Sequence, residues 1–330
     1  MILLWGLSGD SPLASVRTEL ARMERTALLI DQRAVLETSV ELTAGERVAC
    51  TVEWNGLRVD LEKVSAAYLR PYDPLGVPAV SAAGNDSAAS RHAVAVYEAL
   101  RVWSEMTSAL VVNRLSAMGS NSSKPYQLEL IRAAGFSVPA TLITTDPESA
   151  VEFCDRFGDV VYKSVSGVRS IVSRVTPEKR AQFDAVGACP TQFQQYVGGV
   201  DYRVHVVGDD AFVCELVSEA DDYRYVERQG AAVTRRQVDL PDECLDRCRG
   251  LAGMLDLPVA GIDLRCTPEG EWFCFEVNPS PAFSWFDAPD GRIARCIAAL
   301  LAAGNSGSLI AARSLRALLS ADSRGKVAAR

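Results

Sequence analysis

The chain opens on an apolar run, Ile2 to Leu7, that reads as a buried strand and runs into a Ser/Gly/Asp/Pro turn. A helix is expected around Leu13–Arg25 and a second strand over Ala27–Asp31, the rhythm of an α/β unit. Cys50–Trp54 and Leu57–Leu61 flank Asn55-Gly56, the strongest short hairpin signal there is. Ala66–Arg70 reads as a strand, SAAGNDSAAS (81–90) as a flexible loop, Ala89–Leu110 as a helix and Val111–Arg114 as a short strand.

Further on, Leu128, Ile131 and Phe136 predict a helix that Gly135 stops, with a strand after Pro139. Val160–Tyr162 is a β-run that ends at Lys163, and Gln192–Val197 reads as another strand. Asp201–Val207 alternates cleanly: Asp201, Arg203 and His205 share one face, Tyr202, Val204 and Val206 the other. After a helix over about Asp242–Leu255, two strands, Val259–Cys266 and Glu271–Asn278, are joined by a turn built on Pro268, Glu269 and Gly270. Ile293–Ala303 and Leu309–Leu319 read as closing helices, the segment 320–330 as a loose tail, and no internal repeat is found.

Composition narrows the class. A chain of 330 residues, 48% hydrophobic, can bury a large core and divides into two or three domains. A net charge of −8 argues against nucleic acid as the main partner, though not against nucleotides, which need only a local positive site. The nine cysteines are scattered, without a Cys-x-x-Cys pair, and read as buried free thiols of a reducing cytosol. Cys244 and Cys248 lie one helical turn apart, but no His or third Cys is close in sequence, so core thiols are the expectation. The start has no basic n-region, and no apolar run reaches the roughly 20 residues of a membrane span. A soluble, cytoplasmic protein without membrane partners is expected.

The densest chemistry lies in residues 261–281. Strand alternation puts Gly261, Asp263 and Arg265 on one face, and Trp272, Cys274, Glu276 and Asn278 together on one face of the second strand, opposite Phe273, Phe275 and Val277. Paired as a hairpin, the two strands bring Asp263 near Glu276 and Asn278. Two carboxylates and a carboxamide form a hard-oxygen set that suits Mg²⁺, whose remaining positions go to water and phosphate. The competing reading is a solvated hairpin face. Arg70, at the end of a strand, is a candidate for substrate contact or for a structural ion pair.

The Asp on one strand and Glu-x-Asn-Pro on the next resemble the metal-binding end of the ATP-grasp ligases. The longer run FEVNPSPAFSWF (275–286) is similar to the branch that contains ribosomal-protein glutamyl ligases and microviridin-type (graspetide) peptide macrocyclases. The resemblance implies an α/β (α+β) ATP-grasp fold in three parts: an N-terminal pre-ATP-grasp domain (1–112), a central lid (113–190) and a C-terminal antiparallel-sheet part with the Mg²⁺ site (191–330). Lys124, in the run Asn121-x-x-Lys124, and Lys163 are then the phosphate-facing lysines. The loop after Lys163, with Gly167 among Ser164, Ser166, Arg169 and Ser170, is the expected lid and is poorer in glycine than in many relatives. Gln194, Gln195, Tyr196 and Val197 become the adenine hinge, with Gln195 where many relatives carry Glu, and Asp201 joins them as a nucleotide-binding residue.

Asp263, Glu276 and Asn278 become the metal ligands, and Arg203 and Arg224 (in Asp222-Tyr223-Arg224) the groups that stabilise an oxyanion. ATP and Mg²⁺ are the implied cofactors. The implied reaction activates a carboxylate as an acylphosphate, which an amine or hydroxyl attacks. The implied substrate is a peptide or amino-acid-like carboxylate, a ribosomal precursor peptide in the macrocyclase version. Alternatives are a small-molecule amino-acid or dipeptide ligase and a nucleotide-binding regulator without turnover. The residues leave the oligomeric state, a homodimer included, open.

Overall fold

A computed structural model describes residues 1–45, 48–165, 172–218, 233–287 and 291–304. The N-terminal third holds β1 (Ile2–Gly6), α1 (Ser11–Arg22), β2 (Ala27–Asp31), β3 (Ser39–Ala44), β4 (Val48–Trp54), β5 (Leu57–Asp60), β6 (Ala66–Arg70), α2 (Pro78–Ala83), α3 (Ala88–Met106) and β7 (Leu110–Val112). The middle follows with α4 (Lys124–Ala133), β8 (Thr141–Thr144), α5 (Pro147–Phe157), β9 (Val160–Ser164), β10 (Ser173–Arg174), α6 (Pro177–Arg180) and β11 (Thr191–Gln195). The last part holds β12 (Val200–Val207), β13 (Asp210–Ser218), β14 (Val233–Gln237), α7 (Asp242–Met254), β15 (Val259–Cys266), β16 (Trp272–Asn278) and α8 (Arg292–Ala303).

These strands make a parallel four-stranded sheet in the order β2-β1-β6-β7 and a three-stranded antiparallel sheet β3-β4-β5. Two antiparallel sheets follow, β10-β9-β11-β8 and the five-stranded β14-β13-β12-β15-β16. The architecture is the α/β (α+β) one read from the sequence. Asn55 and Gly56 both adopt positive φ, as the hairpin between β4 and β5 requires.

Two differences have local causes. The tract 81–90 is not one loop: Ser81–Ala83 end α2, and the Ser87 hydroxyl accepts from the Ser90 amide to start α3. A run of small residues carries no apolar period and so hides two helix ends. β11 hydrogen-bonds between β9 and β8, so the middle sheet extends beyond residue 190. The helix read over 309–319 and the tail after it lie outside the described residues.

Separate cores explain how the parts hold together. The apolar face of α8 (Ile293, Ala294, Ile297, Ala298, Leu301) packs with α1 and the first parallel strands, so α8 closes over the start of the chain. The face of β12 bearing Val204 and Val206 packs on α7 and α4. No helix among the described residues is long and apolar enough to cross a membrane.

β16 is an edge strand, and its open side is closed by a polar side chain and a single main-chain bridge rather than by another strand. The buried Gln127 carboxamide of α4 donates to the Val277 carbonyl and accepts from the Val277 amide, each at 2.9 Å. Ser137 exchanges backbone bonds with Trp272 and Cys274. Buried Asn113 does the same at the start of β15, donating to the carbonyls of Val259 and Pro279 and accepting from the Val259 amide. Gln127→Leu keeps the volume and orphans both Val277 groups, so chemical denaturation should show a loss of about 2 kcal/mol. The exposed neighbouring change Tyr126→Ser should leave stability within about 0.5 kcal/mol.

Candidate functional site

The register of the five-stranded sheet lays its polar face out in rows. Gln237, Cys214, Arg203, Asp263 and Glu276 are successive cross-strand partners from β14 to β16. On one side of this row lie Arg235, Leu216, Asp201, Arg265 and Phe273; on the other lie Phe212, His205, Gly261 and Asn278. Asp263 therefore stands directly opposite Glu276, as the alternation of the two strands required.

The alternation fails in one place. The pairing of β15 with β16 shifts between Asp263 and Leu264, whose partners are Glu276 and Cys274, so Phe275 is an extra residue in a β-bulge. Cys274 and Trp272, expected on the face of Glu276, turn instead to the core, where Cys274 is fully buried. Phe275, expected to face away, lines the same cleft as Glu276.

That cleft runs between the middle sheet and the polar face. Of the residues singled out in the sequence, Lys163, Gln194, Gln195, Tyr196, Val197, Asp201, Asp263 and Glu276 line it. β9 delivers Lys163, whose residue is only 7% exposed, and the end of β11 delivers residues 194 to 197. Gln194 donates its amide N–H to the Thr141 hydroxyl at 3.1 Å. The Gln195 side-chain carbonyl turns back to accept from the Ala140 amide at 3.4 Å.

The remaining expected residues lie elsewhere. Lys124 is the first residue of α4 and is not among the residues lining the cleft. Arg203 stands beside the cleft, its Nη1 on Asp263 Oδ1 at 2.6 Å, with the two side chains 6% and 17% exposed. Gly261 makes room for it: a Cβ there would sit 2.4 Å from Arg203 Nη2. Asn278 shares the face, and its Oδ1 accepts from the Ser280 amide at 2.9 Å, which fixes the turn into Pro-Ser-Pro. Arg224 and the lid residues 166–171 lie outside the described residues.

Three features were not singled out as functional. Arg265 grips Asp201 through two bonds of 2.7 and 2.8 Å and donates to the Val197 carbonyl at 2.6 Å, so it ties the hinge backbone to the polar sheet. The strand alternation that marked Asp263 also marked Arg265; its partner could not be read without the register. Arg174 stacks on the Tyr196 ring with its guanidinium carbon 3.7 Å from the ring centre. Arg235, 4.6 Å over the Trp285 ring, has a buried Nη1 without a hydrogen-bond partner among the described residues, and the nearby Ser284 hydroxyl is in the same position.

Asp263 and Glu276 give the cleft two carboxylates at one register position, with the Asn278 carboxamide on the same face of the hairpin. Among the described residues no three His, Cys, Asp or Glu side chains converge as an all-protein metal cage. A partial set of this kind fits Mg²⁺, which keeps most of its shell for water and phosphate oxygens.

His205 is 1% exposed, its ring 5.0 Å from that of Phe286, and its Nε2 accepts from Arg203 Nε at 3.5 Å. Burial first, and the Arg203 guanidinium second, hold it well below its ordinary value of 6.5. The unfolded chain therefore binds this proton more readily than the folded one, so the stability it confers is complete above about pH 6.5 and is lost as pH falls. The unfolding free energy should decline below that pH by up to about 1.4 kcal/mol per unit from this group. Denaturation series at several pH values should show a shallower decline for His205→Gln.

With this geometry in place, likeness to known proteins has a meaning. A family model described as a RimK-like ATP-grasp domain matches residues 121–298. The probable alpha-L-glutamate ligase of Aliivibrio salmonicida is 25% identical over 199 residues, 57% of this chain and 65% of that protein. The ribosomal protein bS6–L-glutamate ligase of Escherichia fergusonii is 26% identical over 203 residues, with the same coverage. The match thus spans just under two thirds of these relatives. The solved structure of the ATP-grasp ligase PsnB with a phosphomimetic variant of its minimal precursor, Mg and ADP superposes with a TM-score of 0.74 at 26% identity, over 91% of this chain and 98% of that one. Macrocyclase MdnC from Microcystis aeruginosa MRC, bound with precursor peptide MdnA, shares the fold with a TM-score of 0.75 at 22% identity and the same coverage. The chain that lays Lys163, Asp263 and Glu276 along one cleft belongs to the RimK-like ATP-grasp family.

Proposed function

We propose that this protein is an ATP-dependent ligase that joins a peptide carboxylate to an amine or hydroxyl. The observation that carries the reading is the cleft in which the buried Lys163 and the hinge residues of β11 face Asp263 and Glu276. Adenine would sit against residues 194 to 197, whose backbone groups would read its edge. The phosphates lie towards Lys163. Asp263, Glu276 and Asn278 would hold Mg²⁺, which would neutralise phosphate charge when bound. The parts 1–112, 113–190 together with β11, and the remainder to 330 would then act as the preceding domain, the lid-bearing part and the metal-bearing part.

In the first half of the reaction a carboxylate oxygen of the substrate attacks the terminal phosphorus of ATP, giving an acylphosphate and ADP. In the second, the amine or hydroxyl attacks the acyl carbon, loses its proton and expels inorganic phosphate. Arg203, fixed by Asp263 and His205, is a rigid fork beside the carboxylates and stabilises the oxyanion of that second step. Arg224 shares this task in the reading taken from the sequence.

A peptide substrate is supported by the exposed Trp285, which with the Arg235 guanidinium carbon 4.6 Å from its ring centre offers an aromatic and cationic surface for a chain to lie on. PsnB and MdnC, by their descriptions, bind precursor peptides. A second reading, transfer of a free amino acid to a peptide or protein, is favoured by the names of the glutamate ligases. The nine free cysteines, most of them buried, suit the reducing cytoplasm in which we place the enzyme.

Incubation with ATP, Mg²⁺ and peptides rich in Asp or Glu and in Thr, Ser or Lys should release ADP, and mass spectrometry should show loss of water from the peptide. Gain of an amino-acid residue on addition of free glutamate would select the second reading, and nucleotide binding without ADP release would indicate a regulator. One charge contact at 4 Å is worth about 4 kcal/mol at an effective dielectric near 20. Asp263→Asn or Glu276→Gln should therefore lower turnover by about a thousandfold. Full activity in both variants would remove the metal assignment.

A further inference from the structure

Arg70 is the last residue of β6, an inner strand of the N-terminal parallel sheet, yet its side chain reaches the turn after β16. It is 10% exposed, and its Nε and Nη2 grip both oxygens of Asp10, at 2.5 and 3.3 Å. Its Nη1 donates to the Ser280 hydroxyl at 2.9 Å and to the Pro281 carbonyl at 3.2 Å. Asp10 is itself held, because the same carboxylate caps α1 by accepting from the Leu13 amide. The guanidinium is thus engaged on every nitrogen and is a strut, not a substrate contact.

What the strut holds is the turn that follows the metal strand. Asn278 Oδ1 accepts from the Ser280 amide, so the direction of the Asn278 carboxamide depends on where the Ser280 backbone lies. Ser280 sits between two prolines, whose fixed φ passes a shift of the turn back to Asn278 with little slack. Asn113 holds the Pro279 carbonyl from the other side.

We propose that Arg70 is a positioning residue for the cation end of the site, bracing Ser280 and Pro281 from the N-terminal sheet so that Asn278 and Glu276 keep their place. This rests on the reading of Asp263, Glu276 and Asn278 as the ligands of Mg²⁺. A guanidinium can fork between a carboxylate and two further acceptors; a lysine ammonium keeps the charge beside Asp10 but cannot span all of them.

The test is calorimetric titration of ADP into wild type, Arg70→Lys and Ser280→Ala, at graded Mg²⁺ and in EDTA, with thermal unfolding alongside. The expected result for Arg70→Lys is an approximately tenfold rise in the Mg²⁺ concentration that half-maximally strengthens ADP binding, with affinity in EDTA unchanged. Ser280→Ala, which removes one bond and nothing else, should shift the same way by a smaller factor. An unchanged Mg²⁺ dependence in Arg70→Lys, or an equal loss of affinity in EDTA, would overturn the proposal. Asp263→Asn separates the two ideas: if it keeps the wild-type Mg²⁺ dependence, the ligand assignment falls whatever Arg70→Lys does.

Discussion

Two carboxylates at the same register on neighbouring strands repel each other, and the site is built around holding them there. Cross-strand partners lie about 5 Å apart, where like charges cost about 3 kcal/mol at an effective dielectric near 20. The Arg203 guanidinium, 2.6 Å from Asp263 Oδ1, offsets that cost from the adjacent strand, and Lys163 adds a second buried cation across the cleft. A guanidinium so close to a sheet needs a missing side chain, and Gly261 supplies the space. The Gly-Ile-Asp run is therefore one device: the glycine admits the arginine, and the arginine steadies the aspartate two residues on.

The hairpin that carries the carboxylates would be a poor platform alone, since β16 is an edge strand. Polar side chains, with one main-chain bridge from Ser137, take the place of the missing neighbour. Gln127 from α4 and Asn113 from the end of the parallel sheet each present a carboxamide to a backbone amide and carbonyl. A carboxamide can replace a peptide group in a ladder because it carries the same donor and acceptor. The carboxylate-bearing end of the sheet is thereby fastened to the helix behind it and to the N-terminal sheet, while Arg265 fastens the backbone at Val197 from the opposite side.

Much of this was legible in the sequence, where a residue's role follows from its place on a strand. Lys163 ends an apolar β-run, residues 194 to 197 end another, and Asp263 and Glu276 alternate against apolar neighbours; all of them line one cleft. Roles that depend on register or on long-range choice of partner were hidden. Asp201 and Arg265 meet only because β12 and β15 pair at that offset. Gln127 and Asn113 look like ordinary polar residues until their backbone partners, some 150 residues away, are known. Lys124 marked a helix start correctly, and the helix does not carry it to the cleft lining.

The bulge at Phe275 was hidden for a different reason, and it ties fold to function. Residues 272 to 275 are all apolar, so nothing in their order reveals where the phase of the strand changes. A continuous strand would put Cys274 and Glu276 on one face, forcing either a thiol into the cleft or a carboxylate into the core. With one extra residue, Cys274 stays buried beside Leu264, Val277 stays buried beside Ile262, and Glu276 between them faces the cleft. Because both flanks are locked by buried side chains, neither can slip by one position without exposing its own apolar row. The core thus fixes the place of a charged group that contributes nothing to the core, and the fold turns Glu276 into the cleft without disturbing its own packing.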